Sequence, residues 1–216
     1  MNKYIEKLKL ETPINKQPFF EMLVDGRLSL EKFQETQIRF LDAVLFFSLP
    51  MFILASKIDS YEQRQIVINN ILDEHGNGDL KNAHGNTFKE YLYDLGIEKS
   101  ELLQRKPHDA VINFNQTIMK TVKNRDILVS IAMFGMIEDR YAQMSKLLAQ
   151  SVLGRGWLQK KNLSHYTLHR ELDIHHAQSF YNIIGSNWEQ PKSYEKIKKG
   201  LLLGNALIIN LYNSLL

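Results

Sequence analysis

The chain has 216 residues, a formal net charge of +3 and no cysteine. Its length suits one large domain, because a second domain would need a visible linker. The lack of cysteine excludes disulfides, zinc–thiolate sites, iron–sulfur clusters and cysteine nucleophiles. Any metal site must therefore use His, Asp and Glu, a ligand set that suits iron, manganese or zinc.

Neither the start of the chain nor its most apolar run predicts a targeting or membrane segment. The start, "MNKYIEKLKLE", lacks the apolar stretch and cleavage site of a signal peptide. The run over residues 43–56 is shorter than the roughly 20 residues that span a bilayer, and Pro50 interrupts it. The lysine clusters "QKKN" and "KIKKG" are short, which is typical of solvated helix faces. We expect a cytoplasmic protein that binds neither membrane nor nucleic acid.

The first half of the chain predicts helices separated by Gly, Pro and capping residues. A short helix follows Pro13 and ends near Gly26. Ser29 caps a long helix, "LEKFQETQIRFLDAVLFFSLPMFILASKI", which Pro50 should kink or split. Ser60 opens "YEQRQIVINNILDEH", which meets the break "GNG".

The second half continues the helical periodicity. "NTFKEYLYDL" ends at Gly96, Pro107 starts "HDAVINFNQTIMKTVK", and Asp126 caps a long apolar helix that ends near Gly154. Ser164 caps the next helix, and Ser193 caps the last one. No stretch alternates as a strand would. The sequence therefore predicts an all-α domain over residues 1–216 with about seven to eight helices.

The helix after Ser164 contains a stripe of metal-ligand side chains. At 100° per residue, His169, Asp173 and His176 fall within about 60° of one another. His165 lies close to the same arc, whereas His175 points about 120° away from His169. The stripe continues into apolar residues, so it faces the core. It is either a metal site or a satisfied His–Asp hydrogen-bond network.

A metal site in a helical bundle needs ligands from facing helices. Glu74 ends the apolar stripe of its helix, and His84 follows ten residues later, beyond the glycine break. The glycines prevent helical phase from being carried to His84. The alternative is an ordinary helix end followed by a new helix start. Asp73 and His75 remain alternatives to Glu74.

Glu138 is the third candidate, because more than two apolar turns precede it. A carboxylate in such a position is either paired with a cation or bound to a metal. Tyr141, one turn away, is either a hydrogen-bond partner or a core residue. The six candidate ligands, which are also the candidate catalytic residues, are Glu74, His84, Glu138, His169, Asp173 and His176. Three imidazoles and three carboxylates suit two iron or manganese ions better than a closed zinc site.

Three stretches resemble, in order, the haem-oxygenase-like diiron oxidases and oxygenases, also called iron-containing redox enzymes. "DEHGNGDLKNAHGNTF" is similar to the family's Glu…His segment, "FGMIEDR" to its mid-helix glutamate, and "HRELDIHHAQSF" to its His-x3-Asp-x2-His segment. The resemblance implies a haem-oxygenase-like helical bundle in which the six candidates bind iron. Some members separate the first Glu and His by six residues, whereas nine stand between them here.

The resemblance also implies a reaction class. It implies two Fe(II)/Fe(III) ions, with manganese as a substitute, and O2 as a co-substrate that becomes a peroxo-diferric intermediate. The implied substrate is a small carboxylate-bearing molecule: a fatty acid, an amino acid or an amine derived from one. The reaction is oxidative C–C cleavage or N-oxygenation, and an external electron donor is an expected partner.

Two further features leave alternatives open. Arg39, Arg140 and Arg170 are candidates for binding the substrate carboxylate. The last helix, "LLLGNALIINLYNSLL", has an apolar face that suits either a homodimer interface or packing on the core. The alternative function is a non-catalytic helical module that binds a metal or another protein.

Overall fold

The computed structural model covers residues 1–216, and the structure describes all of them apart from the side chains of residues 164 and 167–171. The described backbone contains eleven α-helices and no strand, which confirms the all-α prediction. The helices are α1 (Asn2–Glu11), α2 (Pro18–Val24), α3 (Leu30–Phe46), α4 (Ser48–Ser56), α5 (Tyr61–Glu74), α6 (His84–Asp94), α7 (Lys99–Gln104), α8 (Asp109–Asn124), α9 (Ile127–Gly154), α10 (Ser164–Ile184) and α11 (Pro191–Asn213).

Three of the predicted helix caps are confirmed. In each, a side-chain oxygen accepts a backbone N–H two or three residues later, which satisfies a donor that the helix itself leaves without a partner. The pairs are Ser29 with Lys32 at 3.1 Å, Ser60 with Gln63 at 3.2 Å, and Asp126 with Leu128 at 2.9 Å.

The prediction that Ser193 caps the last helix is wrong. Helix α11 begins at Pro191, so Ser193 lies in its first turn. Proline is favoured at the first helical position, because its fixed φ suits the helix and its missing N–H loses no partner there. Helix α10 likewise begins at Ser164 itself, and Leu163 takes the capping position.

Pro50 splits the long apolar helix as predicted. Helix α3 ends at Phe46, and α4 starts two residues later. Pro50 has no N–H to donate to the carbonyl of Phe46, four residues earlier, so the hydrogen-bond ladder is interrupted there. Residues 30–56 together are long and apolar enough to cross a membrane by length and composition alone. A buried core helix passes the same test, and Met51 in the second half is fully buried.

Two helices were not predicted. Helix α1 buries only Ile5 and Leu8, and its charged residues obscure the apolar pattern. Helix α7 has six residues and buries only Leu102, which is too short for a period to be recognised. A capping box between Glu98 and Glu101 stabilises its start.

Helix α9 lies at the centre of the fold and packs along both α10 and α11. Glycines allow these close approaches. A Cβ on Gly200 of α11 would lie 2.3 Å from the carbonyl oxygen of Val129, and a Cβ on Gly135 of α9 would lie 2.7 Å from the ring of Tyr181 on α10. Because Gly135 is one turn before Glu138, the face of α9 that carries Glu138 lies close to α10.

The apolar face of α11 packs on the core. Ile197, Leu201, Ile208 and Tyr212 are buried, and most of this helix lies along α9. Among the described residues, only Leu202 is a strongly exposed large apolar side chain of α11. Packing on the core is therefore the correct alternative for this face, and a homodimer through another surface stays a prediction. The single-domain organisation also stays a prediction.

Candidate metal centre

Glu138 lies in the middle of α9 and is 2% exposed. Its Oε1 atom has no hydrogen-bond partner among the described residues. Burial raises the pKa of Glu138 well above its ordinary value, and the nearby carboxylates of Asp173 and Glu74 raise it further. The neighbouring Arg140 does not pair with Glu138, because Arg140 points elsewhere and binds Thr12.

Helix α10 brings Asp173 and His176 to the same place. Both residues are buried, whereas His175 is exposed, as its helical phase predicts. Burial is the main reason that the pKa of Asp173 lies well above its ordinary value, although His84 and His176 lower it in part. His169, the first residue of the predicted stripe, lies outside the described side chains.

The end of α5 and the start of α6 supply two more candidates. Glu74 is the last residue of α5 and His84 the first of α6; both are buried, and His84 Nδ1 lies 2.8 Å from Glu74 Oε1. Burial by itself lowers the pKa of His84, but the negative charges of Glu74, Asp173 and Asp73 outweigh that effect and raise it.

The structure separates Glu74 from its two alternatives. His75 is exposed, and its Nε2 lies 3.1 Å from Ser48 Oγ on the outside of the bundle. Asp73 is partly exposed and lies 3.1 Å from His176 Nε2. Glu74 is therefore the acidic residue of this segment that points into the cluster.

Residues from four helices meet in this cluster. Ligand atoms of Glu74, Glu138 and His176 all lie within 4.8 Å of one another. His176 Nδ1 lies 3.8 Å from Glu138 Oε1, and the His84 and His176 rings are 6.5 Å apart. Five of the six predicted residues are thus brought together from segments far apart in sequence.

A cavity of about 50 Å³ opens beside the cluster. Glu74, His84, Glu138 and Asp173 form its polar side. Its remaining walls are largely apolar and aromatic: Phe40, Ala43, Val44, Phe47, Phe114, Ile137, Tyr141, His165 and Ile208. This volume exceeds the roughly 10–15 Å³ that a single water needs, so the cavity has room for ions or a small group of atoms.

His165 and Tyr141 belong to the cavity wall. His165 Nδ1 lies 2.9 Å from Thr87 Oγ1, and its ring packs against Phe88 at 5.0 Å. Tyr141 is stacked on Phe40, and burial raises its pKa well above the ordinary value. Tyr141 therefore packs against the core and faces the site, and its role as a hydrogen-bond partner stays a prediction.

Two of the arginines that the sequence offered as carboxylate binders, Arg39 and Arg140, are described, and neither lines this cavity. Arg39 pairs with Glu35 and donates to the carbonyl of Leu215. Arg140 is fully buried near Thr12, away from the cluster, and burial lowers its pKa to about 10. Arg170 lies outside the described side chains.

The sequence profile of the iron-containing redox enzymes matches residues 37–205, more than three quarters of the chain. The chain belongs to this family. Among curated relatives of this chain, the 4-aminobenzoate synthase of Chlamydia muridarum is 22% identical over 162 residues. The match covers 74% of this chain and 67% of that protein.

Solved structures show the fold of this chain. A domain of unknown function with a haem oxygenase-like fold from Shewanella denitrificans has a TM-score of 0.81 at 10% identity, and covers 99% of this chain and 89% of that one. A CADD-like protein of unknown function from Nostoc punctiforme has a TM-score of 0.80 at 15% identity, with coverages of 99% and 94%. The predicted haem-oxygenase-like fold is confirmed.

The residues of the cluster fit iron. Three carboxylates share a buried site, and the described cavity lining contains no Lys or Arg to balance their charge. Burial and, after it, repulsion from neighbouring carboxylates raise the pKa of Glu138 and Asp173, and a bound cation would stabilise their charged forms. Imidazole and carboxylate together are a ligand set typical of non-haem iron.

Sequence reasoning missed the contact between Asp73 and His176. Asp73 precedes Glu74 on a different face of α5, and the two partners are 103 positions apart. No local pattern signals such a pair.

Proposed function

We propose that the protein is a non-haem diiron oxidase or oxygenase that uses O2 to oxidise a small carboxylate-bearing molecule. The buried cluster of carboxylates and imidazoles beside an apolar cavity carries this proposal. Membership of the iron-containing redox enzymes supports it. The cofactor would be two iron ions, for which manganese is a substitute.

Each side chain has a proposed part in holding the metal. Glu74, Glu138 and Asp173 would provide the negative charge, and His84, His169 and His176 the nitrogen ligands, with His169 included on its helical phase alone. Ferrous iron in this site would supply the electrons that reduce O2. The aromatic walls around Phe40 and Phe114 would exclude bulk water from the reacting groups.

The cavity also bears on the substrate. Its described lining has apolar walls and no Lys or Arg, so the positive charge that attracts a substrate carboxylate would come from the metal ions. A relative named 4-aminobenzoate synthase makes a small molecule with a carboxylate and an amine. Within the proposed substrate class, the name of this relative favours amino acids and amines derived from them over long fatty acids. C–C cleavage and N-oxygenation are both compatible with such a substrate.

The remaining partners belong to the same proposal. An external electron donor would return the iron to the ferrous state between turnovers, and the protein would act in the cytoplasm on a small molecule, without nucleic acid or membrane.

The test is O2 consumption by the protein loaded with Fe(II) under anaerobic conditions. The loaded wild type should consume O2 in proportion to its bound iron, and a panel of amino acids, amines and fatty acids should identify the class that accelerates the consumption. Glu138→Ala should bind less iron and lose this activity, whereas His175→Ala, which changes an exposed imidazole, should keep both. Failure of the wild type to bind Fe(II), or bound Fe(II) that does not react with O2, would overturn the proposal.

A further inference from the structure

Asp73 lies between two partners, one on its own segment and one on α10. Its Oδ2 atom is 3.1 Å from His176 Nε2, and its Oδ1 atom accepts a hydrogen bond of 2.7 Å from the Asn77 side-chain amide. The side chain of Asp73 is 27% exposed, whereas that of His176 is 2% exposed. Asp73 therefore borders the cluster from outside.

This contact determines which nitrogen of His176 carries a proton. A carboxylate accepts hydrogen bonds and donates none, so Nε2 must be the N–H donor. In the neutral imidazole the lone pair is then on Nδ1. Nδ1 is the nitrogen that lies 3.8 Å from Glu138 Oε1, on the side of the cluster.

The glycine break that ends α5 holds Asn77 against Asp73. Gly76, Asn77 and Gly78 all have positive φ, at 78°, 52° and 94°. Glycine adopts this conformation freely, and asparagine tolerates it better than most residues. The N–H of Asn77 also bonds to the carbonyl of Leu72 at 2.8 Å, which holds the Asn77 backbone at the end of α5.

We propose that Asp73 is a positioning residue that holds His176 as the Nε2–H tautomer, with Nδ1 free to bind metal, and that Asn77 in the "GNG" turn holds Asp73 in place. This inference rests on the proposed function only in taking His176 as a metal ligand. A buried histidine ligand typically needs such an acceptor on its second nitrogen, and loss of that acceptor costs about 10- to 100-fold in metal affinity.

The hydrogen-bond pattern predicts an unusual effect for Asp73→Asn. A carboxamide has one oxygen, and both Asn77 and His176 require an acceptor. If Asn77 keeps the oxygen, the amide NH2 faces His176 Nε2, so Nε2 becomes an acceptor and the proton moves to Nδ1. The ligand nitrogen is then blocked. Removing the competing amide by Asn77→Gly, which suits the positive φ, leaves the oxygen available to His176 again.

The test has two readouts on metal-free protein. ¹⁵N NMR of the histidine ring nitrogens, with His176 assigned by comparison with His176→Gln, reports the tautomer. Anaerobic titration with Fe(II) reports affinity. The wild type should show the Nε2–H tautomer; Asp73→Asn should shift His176 towards Nδ1–H and weaken Fe(II) binding about 10- to 100-fold. The double variant Asp73→Asn/Asn77→Gly should recover part of the Nε2–H tautomer and part of the Fe(II) affinity. His75→Ala is the neighbouring control, and it should change neither the tautomer of His176 nor the Fe(II) affinity.

The outcomes separate this inference from the proposed function. A wild-type Nδ1–H tautomer would overturn it without any variant having to fold. Weaker iron binding in Asp73→Asn with an unchanged tautomer would also overturn it, because Asp73 would then act as a ligand itself. The protein could also show the Nε2–H tautomer and the expected affinities while its bound iron does not react with O2. That result would support the positioning role and contradict the proposed function.

Discussion

Replacing Glu138 by glutamine tests the electrostatics of the metal-free site. Burial, together with Asp173 and Glu74, raises the pKa of Glu138 well above 4.5. The folded protein therefore keeps a proton that the unfolded chain has already released. In this case the free energy of unfolding falls as the pH rises from about 4.5 towards the raised pKa, by about 1.4 kcal/mol per pH unit for one proton.

The other shifted groups act in the same direction. Asp173 also has a raised pKa, so its contribution falls with rising pH in the same way. The raised pKa of His84 gives stability that is complete below its ordinary 6.5 and is lost as the pH rises through the folded-state value. The metal-free wild type should thus become less stable as the pH rises above the ordinary pKa values of these groups.

Urea unfolding in the presence of a chelator, followed by circular dichroism across this pH range, measures the effect. Glu138→Gln should flatten the dependence by about 1.4 kcal/mol per pH unit, because the amide has no proton to release. Glu90→Gln, which removes a carboxylate from the exposed surface of α6, is the matched control and should keep the wild-type slope. Equal slopes for the wild type and Glu138→Gln would refute the reasoning.

Three further predictions concern the metal and the packing around it. Fe(II) without O2 should stabilise the wild type more at pH 8 than at pH 6 in thermal unfolding, because protons and metal compete for the same ligands. His169→Ala should lose iron while its helicity is kept, and His175→Ala should bind iron normally. The iron that remains bound after desalting measures this difference. The reverse pattern would contradict the predicted helical phase. Gly200→Ala should lower the free energy of unfolding by about 1–3 kcal/mol more than Gly154→Ala does. A Cβ at Gly200 would lie 2.3 Å from Val129 O, whereas a Cβ at Gly154 meets nothing within 4 Å. Equal unfolding free energies for the two variants would show that α11 adjusts without cost.

Local geometry explains which parts of the site the sequence predicts. Asp173, His175 and His176 share one helix, so a rotation of 100° per residue is enough to place two of them inwards and one outwards. Glu138 is predictable for a similar reason, because a carboxylate that follows two apolar turns is buried with them. The caps at Ser29 and Ser60 depend only on a hydroxyl and an N–H three residues apart.

What the sequence could not predict depends on contacts between distant segments or on a change of backbone direction. The left-handed residues of the "GNG" break destroy the helical phase between Glu74 and His84, so only the folded chain shows their 2.8 Å contact. Helical phase places Arg140 opposite Glu138 on α9, but only the folded chain shows that Arg140 binds Thr12 there. The partnership of Asp73 with His176 is of the same long-range kind.

The most direct test of the central claim is anomalous diffraction at the iron absorption edge from crystals grown anaerobically with Fe(II). The account predicts iron peaks inside the cluster, within bonding distance of Glu138 and of His176 Nδ1. Crystals of the iron-loaded protein with no iron peak between α5, α9 and α10 would contradict it.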